Sequence, residues 1–486
     1  MTFAERSRAF FAGEAGAADA ELELLYRQKA NGPLLGAEGA RAAVRSTFPY
    51  RELQLYPFAG ASVTDILSRL RLRDCDASGE APLAAVLLAR NPEELQREID
   101  LALTGIPRAV ETGIEWKTPG GSSFVPSPLG ADGVAFVYPG IASPYPGLGA
   151  DLFSLSPPLL ERFETLARGR AAHYLHVDEM YPASGVADEA QFYRDVVMLG
   201  QCAISTSLVF TWLLRELFGI EPRAACGYSF GEAIMLTCLG VWPDPTELAG
   251  NLDRIPTYRT RLQGPMDSIR EQWGLPAGAA VEWDSWTVRT TAAVAFAAIR
   301  PEKNVFLCNI NTPGEVVVAG EREGCRRALE RIGAASLTKM VASAVPIPVT
   351  MHCEATRGEY QNLVEIHSVT TARVEGIDFY SSATCRPIDF ATESPAQTTA
   401  EAYCRVVDFP RLIRNVYAGG PKVFIEAGGR RNCCTWIEKI LRDRPHASVP
   451  CDLKGQSSGT SMLRMMARLM AQRVRLDSGA LFTAST

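Results

Sequence analysis

Gly227-Tyr228-Ser229-Phe230-Gly231-Glu232 lies between two apolar segments. Residues 220–226 form a short, mostly apolar run that is typical of a buried strand, and residues 233–239 have the pattern of a buried helix. A Gly-x-Ser-x-Gly sequence between strand and helix is typical of a nucleophile elbow, because the glycines permit a strained turn that exposes the serine hydroxyl. The helix N-terminus also offers N–H groups to a developing oxyanion. The sequence therefore predicts Ser229 as a nucleophile; the alternative is a chance Gly-Ser-Gly turn.

The composition is that of an ordinary globular protein. Of the 486 residues, 47% are hydrophobic and 21% are charged, and the net charge of −6 gives no electrostatic reason to expect binding to nucleic acid or to an anionic membrane. The twelve cysteines are scattered and no Cys-x-x-Cys occurs, so we expect neither a zinc site nor a redox dithiol, and a reduced, cytoplasmic location fits best. Residues 1–25 lack the pattern of a signal peptide.

One apolar stretch has the length of a membrane span. Residues 196–214 carry no charge over 19 positions, but they include Gln201 and several hydroxyl side chains. The stretch also lies directly before the predicted strand of the elbow. We therefore expect a buried core helix and no membrane span.

The pattern divides the chain into five predicted parts. They are a helical and then irregular region at 1–80, a small α/β linker unit at 81–130, a large subdomain at 131–285 and 346–450, a small subdomain at 286–345, and a C-terminal helical extension at 451–486. In the linker unit a strand at 84–88 precedes a helix that begins at Asn91-Pro92, because proline and acidic residues favour a first helical turn. Residues 1–80 contain no motif and are predicted to be dispensable for chemistry at Ser229.

Residues 286–345 have the order strand, helix, strand, strand, helix, strand, with the last strand at 336–341. This βαββαβ order is typical of a ferredoxin-like unit. Apolar strands resume at 377–381 and 422–426, so the unit is inserted into a larger domain. The predicted fold class is α/β: an α/β-hydrolase-like large subdomain with an inserted ferredoxin-like small subdomain, preceded by the small linker unit.

A serine hydroxyl needs a base to remove its proton. The chain has five histidines: His173, His176, His352, His367 and His446. His352 ends the proline-rich apolar segment 345–352 and enters a new element, which favours it as the base. A histidine in an apolar run is more often a satisfied core residue, so from the residues alone this choice stays open.

Five motifs follow one another along the chain. They are Phe-Val-Tyr-Pro-Gly at 136–140, the elbow at 227–232, Asn-Ile-Asn-Thr-Pro-Gly-Glu-Val-Val-Val-Ala-Gly at 309–320, the segment that ends at His352, and Phe-Ile-Glu-Ala-Gly-Gly at 424–429. In order and spacing they resemble the malonyl-CoA:acyl-carrier-protein transacylase family, over roughly residues 130–450. Two variations of these motifs, Tyr228 where the family has histidine and the opening Val-Tyr-Pro-Gly at 137–140, are most similar to acyltransferase subunits of bacterial polyunsaturated-fatty-acid synthases and related polyketide synthases. Residues 84–105 are similar to the linker that precedes such domains.

The resemblance implies ping-pong acyl transfer by a Ser–His dyad. Ser229 attacks the thioester of an acyl-CoA with His352 as base, and the acyl group passes to the phosphopantetheine thiol of an acyl carrier protein. The backbone N–H groups of Phe230 and Ile141 form the oxyanion hole, although the family has glutamine at the position of Ile141. The implied partners are acyl-CoA, a carrier-protein domain and other synthase subunits or domains, and no cofactor is bound.

The resemblance also implies substrate-binding residues. Gln201 matches a glutamine near the site, and Asn311 belongs to the third motif. Arg254 stands where the family binds a malonyl carboxylate, with Arg259 and Arg261 as alternatives. A carbonyl within 428–432 would orient His352. Residues 349–351 match neither the malonyl nor the methylmalonyl pattern, so the acyl group stays open.

Two other functions compete with acyl transfer. A hydrolase could use the same dyad with water as the acceptor and so edit acyl thioesters, and the sequence does not separate the two because water exclusion depends on the shape of the pocket. A non-catalytic docking module of a synthase is the other alternative. The presence of both Ser229 and His352 argues against it.

Overall fold

A computed structural model of the protein describes residues 45–46, 53–76, 80–155, 157–182, 189–335, 341–347, 349–477 and 482–483. The helical pattern of residues 1–44 and most of the strand predicted at 336–341 lie outside them. The strands, in chain order, are β1 (Arg45–Ser46), β2 (Gln54–Gly60), β3 (Leu83–Ala89), β4 (Trp116–Lys117), β5 (Ser123–Phe124), β6 (Val134–Tyr138), β7 (Ala224–Gly227), β8 (Trp283–Val288), β9 (Val305–Thr312), β10 (Glu315–Glu321), β11 (Ala342–Ala344), β12 (Asp378–Tyr380), β13 (Val407–Asp408), β14 (Val423–Glu426), β15 (Ala447–Pro450) and β16 (Phe482–Thr483).

The helices surround these strands. They are α1 (Val63–Leu72), α2 (Pro92–Thr112), α3 (Ala150–Leu155), α4 (Pro157–Leu166), α5 (Ala171–Tyr174), α6 (Val177–Met180), α7 (Glu189–Phe192), α8 (Val196–Trp212), α9 (Gly231–Cys238), α10 (Pro245–Arg254), α11 (Asp267–Gln272), α12 (Ala292–Ile299), α13 (Arg322–Ala335), α14 (Tyr360–His367), α15 (Pro395–Tyr403), α16 (Phe409–Ala418), α17 (Asn432–Ile440) and α18 (Ser458–Ala471). Shorter 3₁₀ segments occur at Gly130–Asp132, Pro256–Tyr258 and Glu354–Glu359, and the π-helical turn Leu213–Leu217 extends α8.

The large subdomain is built on a five-stranded parallel sheet in the order β12-β7-β6-β14-β15. Both faces are covered: Phe136 and Tyr138 pack into one core and Ala135 and Val137 into the other. A sheet buried on both faces needs continuous apolar strands, which is why these segments show no alternation in the sequence. Because β6 and β7 are neighbours and Tyr138 pairs with Gly227, the loops that follow the two strands meet at one edge of the sheet.

Helix α8 is the buried helix of this subdomain. Every residue of α8 is buried, and the helix packs against α9. Asp195 caps its N-terminus by accepting hydrogen bonds from the N–H groups of Val197 and Met198. By length and composition Val196–Leu217 could cross a membrane, but its apolar window is wholly enclosed by the protein. Its position is that of a core helix, as the sequence predicts.

The small subdomain has the predicted ferredoxin-like order. The elements follow one another as β8, α12, β9, β10, α13 and β11. The four strands form an antiparallel sheet in the order β11-β8-β10-β9. Strand β13, which follows α15, adds to the free edge of β9 in parallel. The α/β fold class with an inserted ferredoxin-like unit is therefore confirmed. This pairing also connects the sheet of the small subdomain to a segment of the large subdomain.

The N-terminal unit is an antiparallel sheet in the order β2-β3-β5-β4 with α1 and α2 packed against it. Helix α2 begins as predicted, with Asn91 as its cap and Pro92 in the first turn. The irregular structure expected for residues 46–80 is wrong from Leu53 to Asp76, because β2 and α1 lie there. The strand was not predicted because Pro57 lies within it, and proline argues against a strand. The structure tolerates this proline because β2 is at the sheet edge, where a missing N–H breaks no ladder.

Removal of residues 1–80 should therefore unfold the N-terminal unit rather than leave it intact. Strand β2 pairs with β3 from Gln54 to Gly60, and Phe58, Ile66 and Leu70 are fully buried in the unit's core. Truncating a single buried residue of this size costs about 2–5 kcal/mol, so loss of all three exceeds the stability of a small unit. A chain that starts at Ala81 should lose cooperative thermal unfolding or precipitate. Differential scanning calorimetry measures this.

The matched control is a chain that starts at Arg45. It keeps β1, which pairs with β16 near the end of the chain, and it keeps every other described element. Because it keeps the described elements of the N-terminal unit, it should retain a cooperative unfolding transition. Equal stability of the Ala81 chain would contradict the packing role of β2 and α1. Unfolding of the N-terminal unit should also destabilise the large subdomain. Helix α18 connects the two, because it contacts β3 and β5 of the N-terminal unit and α3 and β15 of the large subdomain.

Candidate active site

The elbow predicted from the sequence is a sharp turn between β7 and α9. Ser229 has a φ of 58°, in the left-handed region, and Gly231 begins α9. A Cβ atom on Gly227 would collide with the backbone of Gly231, and one on Gly231 would collide with the carbonyl oxygen of Tyr138. The two glycines are therefore required because the turn packs directly on the end of β6. The turn presents the Ser229 hydroxyl at the edge where the loops meet.

His352 lies against this hydroxyl. Its Nε2 is 2.6 Å from Oγ of Ser229, and its Nδ1 is 3.0 Å from the carbonyl oxygen of Ala402, at the C-terminal end of α15. A carbonyl can only accept, so Nδ1 carries the proton and the lone pair of Nε2 faces the hydroxyl. The backbone of His352 is also held, since its N–H donates to the carbonyl of Tyr403 and its φ is 61°.

Burial controls the charge of this imidazole. His352 is only 4% exposed, and burial lowers its pKa to about 4, while the carbonyls of Ala402 and Arg405 act in the opposite direction. The ring is neutral at pH 7 and can accept a proton. Burial disfavours the charged ring more strongly than the two carbonyls favour it.

The orienting carbonyl is Ala402, and the prediction of a carbonyl within 428–432 is wrong. Gly428 and Gly429 instead support the loop after β6: a Cβ on Gly428 would press on Pro139, and one on Gly429 would press on Leu148 and the backbone of Ser143. Ala402 had no sequence signal, because its carbonyl acts through its position at a helix end and not through its side chain.

The two predicted oxyanion donors lie beside Ser229. Phe230 directly precedes α9, and Ile141 lies in the loop after β6, where the backbone of Gly140 passes the carbonyl of Tyr228. Within the described part of the chain, neither N–H has a hydrogen-bond partner. Both groups are thus available to an oxygen that develops negative charge near Ser229.

Ser229 and His352 open into a cleft of about 370 Å³ between the two subdomains. One wall is the inner face of the small subdomain's sheet. The opposite side consists of the loop after β6, the segment before His352 and the start of α17. The lining residues are Pro139, Gly140, Ile141, Ala142, Ser143, Tyr228, Ser229, Ser285, Thr287, Cys308, Asn309, Asn311, Val317, Ala319, Ser343, Ala344, Val345, Pro346, Ile347, Val349, Met351, His352, Gly429, Asn432, Cys433 and Trp436.

A hydrogen-bond network fixes the floor of the cleft. The Tyr228 hydroxyl donates to Oδ1 of Asn311 (2.7 Å), and the Asn311 amide donates to the Glu315 carboxylate (3.2 Å). The Trp436 indole N–H donates to the same carboxylate oxygen (2.9 Å). The network joins the elbow, the β9–β10 hairpin and α17, so it holds the two subdomains across the cleft. Asn311 was predicted at the site, whereas Glu315 and Trp436 were missed because they act only through this three-way contact.

Gln201 does not line this cleft, contrary to the expectation of a substrate contact. Its side chain is buried and hydrogen-bonds to His176 and to the carbonyl of Ala249. It contributes instead to a separate small apolar cavity together with Phe163 and Ile204. On α8 it is Gly200 that faces the elbow, since a Cβ there would contact the Phe230 ring.

The predicted carboxylate ligand Arg254 is also outside the cleft. Its side chain is 63% exposed, and its guanidinium pairs with Glu365. Arg259 pairs with Asp195 and Asp253, and Arg261 pairs with Glu271 and with the buried Glu359. Counting along the sequence placed this residue correctly on α10, but Arg254 is the last residue of that helix and its guanidinium pairs with Glu365 of α14.

The other histidines lie away from Ser229. His173 is 3.3 Å from Asp253, and the Nδ1 of His446 bonds to the carbonyl of Arg444. His367 is fully buried, and its Nδ1 bonds to the Leu363 carbonyl one turn earlier in α14. Of the five histidines, the structure brings only His352 to the nucleophile.

The sequence is similar to parts of much longer synthases. No protein-family model matches the chain. It is 28% identical over 448 residues to one of the subunits of the polyunsaturated fatty acid synthase of Thraustochytrium sp., a match that covers 87% of the chain and 22% of that protein. It is 26% identical over 311 residues to the spectinabilin polyketide synthase system protein NorC of Streptomyces orinoci, covering 63% of the chain and 12% of that protein. The chain thus spans less than a quarter of either relative.

The structure is similar to solved acyltransferases. The acyltransferase domain from module 8 of the salinomycin polyketide synthase superposes with a TM-score of 0.66 at 15% identity, covering 87% of this chain and 96% of that domain. Malonyl-CoA:acyl carrier protein transacylase from Xanthomonas oryzae pv. oryzae superposes with a TM-score of 0.54 at 20% identity, covering 68% of this chain and 97% of the other. The chain therefore has the fold of these acyltransferases and is related in sequence to polyunsaturated-fatty-acid and polyketide synthases, which confirms the resemblance predicted from its motifs.

Proposed function

We propose that the protein transfers an acyl group from coenzyme A to the phosphopantetheine thiol of an acyl carrier protein through an acyl-Ser229 intermediate. The observation that carries this proposal is the 2.6 Å contact of Ser229 Oγ with a His352 ring whose other nitrogen is held by a carbonyl. Such a pair is the minimum that converts a serine hydroxyl into a nucleophile. The fold and the sequence relatives agree with the proposal.

In the first half-reaction the Ser229 oxygen bonds to the thioester carbon while its proton moves to Nε2 of His352. The carbonyl electron pair moves onto oxygen, where the N–H groups of Phe230 and Ile141 stabilise it. The carbon–sulfur bond then breaks, and the coenzyme A sulfur leaves with the proton that Nε2 carries. The acyl group remains on Ser229 as an ester.

In the second half-reaction the carrier's thiol gives its proton to Nε2 and its sulfur bonds to the ester carbon. The bond from carbon to Oγ breaks, and Oγ recovers the proton. Because His352 is neutral at pH 7, it can start each half-reaction as a base and finish it as an acid. The Ala402 carbonyl stabilises the transient imidazolium, in the place of the carboxylate of a triad.

The test uses the two half-reactions separately. The protein is mixed with a panel of acyl-CoA thioesters and its intact mass is recorded. The loaded protein is then divided between buffer alone and buffer with a phosphopantetheinylated carrier protein. We expect an acyl mass on Ser229 that is stable in buffer and moves to the carrier's thiol.

The outcomes separate the competing functions. Rapid release of free acid in buffer, at a rate that the carrier does not change, would replace acyl transfer by acyl-thioester hydrolysis. Absence of any acyl mass from the whole panel would favour a docking module and overturn the proposal. An apo carrier protein without phosphopantetheine is the matched control, and it should accept nothing.

A further inference from the structure

We infer that the cleft accepts an uncharged acyl chain in preference to a malonyl group or any other carboxylated acyl group. This inference deepens the proposed function and rests on it, because it concerns the substrate class of the same Ser229 site. It departs from the malonyl specificity that the sequence resemblance brings with it. Three features of the described residues support it: the sheet face, the segments next to the dyad, and the pairing of the nearby arginines.

The first feature is the sheet face that lines the cleft. Its side chains form cross-strand rows, since Val317 pairs with Asn309 and with Thr287, and Thr287 pairs with Ser343 on the edge strand. A second row joins Ala319 and Ser285. The alternate residues of the same strand, Val316 and Val318, point to the opposite face of the sheet and pack under α12 and α13. Four strands thus present small, uncharged side chains to the cleft.

The second feature is the aliphatic surface on either side of the dyad. Met351 directly precedes His352, and Val349 and Ile347 line the cleft just before it. On the other side, Ile141 carries the predicted oxyanion N–H and its side chain also lines the cleft. An acyl group on Ser229 lies between these segments, where alkyl carbons gain from burial against apolar side chains.

The third feature is that the arginine side chains near the cleft are already bound to other groups of the protein. The three arginines around residue 260 are all paired with carboxylates outside the cleft, as given above for Arg254, Arg259 and Arg261. Arg430 follows the lining residue Gly429, but its guanidinium lies over the rings of Tyr145 and Tyr193 and bonds to the Tyr193 hydroxyl. Among the described lining residues, His352 is the only one with a titratable nitrogen, and it is neutral.

A carboxylate on the acyl chain would therefore lose its contacts with water and gain no contact with a positively charged side chain of the cleft. Burying an ion without a partner costs far more than burying an alkyl group, and the cost applies in the acylation transition state. The neutral isostere of malonyl is 3-methylbutanoyl, since two methyl groups replace the two carboxylate oxygens. The two thioesters share size and branching and differ in charge and polarity.

The test compares single-turnover acylation of the full chain by 3-methylbutanoyl-CoA, butanoyl-CoA and malonyl-CoA, followed by intact mass, with Ser229→Ala as the background. We expect the two uncharged thioesters to load Ser229 at least about tenfold faster than malonyl-CoA, because the carboxylate finds no counter-charge. Malonyl loading that equals or exceeds theirs would overturn the inference while leaving the proposed function standing. Failure of all three to load would overturn the inference, whereas the proposed function is overturned only if the whole acyl-CoA panel also fails to load Ser229.

Matched variants examine whether an arginine can reach the acyl group. Arg254→Gln, Arg259→Gln and Arg261→Gln should each leave the ratio of malonyl to 3-methylbutanoyl rates unchanged within about twofold, because their guanidinium groups pair with carboxylates outside the cleft. A variant that lowers the malonyl rate alone by about tenfold, the size of one lost charged contact, would show that a cation reaches the carboxylate. That result would also overturn the inference. The ratio is insensitive to partial unfolding, since both rates then fall together.

Discussion

Ser229→Ala should take up no acyl mass from any acyl-CoA. The variant keeps the backbone, since alanine has the same Cβ as serine and pays a similar cost at the φ of 58°. It loses the only hydroxyl that lies within hydrogen-bond distance of the His352 Nε2 in the described structure. Intact mass with peptide mapping after mixing with the acyl-CoA panel measures the effect, and circular dichroism checks the fold.

Ser343→Ala is the control for this experiment. Its hydroxyl also lines the cleft, on β11, but among the described residues His352 Nε2 bonds to the Ser229 hydroxyl and not to this one. This variant should still take up the acyl mass on Ser229. An acyl adduct on the Ser229→Ala protein, at whatever residue, would show that the elbow serine is not the nucleophile.

His352→Asn should slow single-turnover acylation of Ser229 by about 10² to 10⁴, the usual contribution of a general base. Asparagine suits the position because His352 has a φ of 61°, and asparagine adopts the left-handed region more readily than most residues. The residual rate should remain above background, because the N–H groups of Phe230 and Ile141 are unchanged. Quenched-flow mixing followed by intact mass gives the rate.

His367→Asn provides the matched control. His367 is as deeply buried as His352, burial lowers its pKa to about 4 as well, and its Nδ1 also bonds to a backbone carbonyl. Among the described residues its ring bonds to no serine hydroxyl, so its replacement should change the rate by less than about tenfold. A collapse of acylation in His367→Asn with a normal rate in His352→Asn would show that the base is assigned to the wrong residue.

The pH dependence of acylation follows from the pKa of about 4 for His352. The base is active when neutral, so the rate should be level from about pH 5 to 8 and fall as the pH drops through 4. The same lowered pKa of His352 and His367 removes stability as the pH falls from their unfolded value of about 6.5 to 4, so the fold must be checked at each point. Glu232 and Glu426, whose pKa burial raises to about 7, lose their stabilising contribution in the opposite direction, as the pH rises. A rate that already falls near pH 6.5 would contradict the buried, neutral His352.

Local features of the chain could be predicted because local rules control them. The elbow needs glycine at 227 and 231 whatever surrounds it, since a strand and a helix must meet at a strained turn. The ferredoxin-like order follows from alternating apolar periods of strands and helices, and the core helix α8 follows from an uncharged run beside that elbow. Strand β2 could not be predicted in this way because it contains Pro57. A strand accepts proline only where it lies at the edge of a sheet, and the edge position is a property of the tertiary structure.

By itself the sequence determined the elbow at Ser229, the α/β class and the order of the elements, because each depends on residues that are neighbours along the chain. Only the tertiary structure decided that the Ala402 carbonyl orients His352, that Gln201 faces His176, and that Arg254 pairs with Glu365. These are contacts between segments far apart in sequence, and the direction of a side chain at such a contact depends on how the elements pack. A backbone carbonyl, in addition, belongs to every residue, so no residue type marks the one that holds the base.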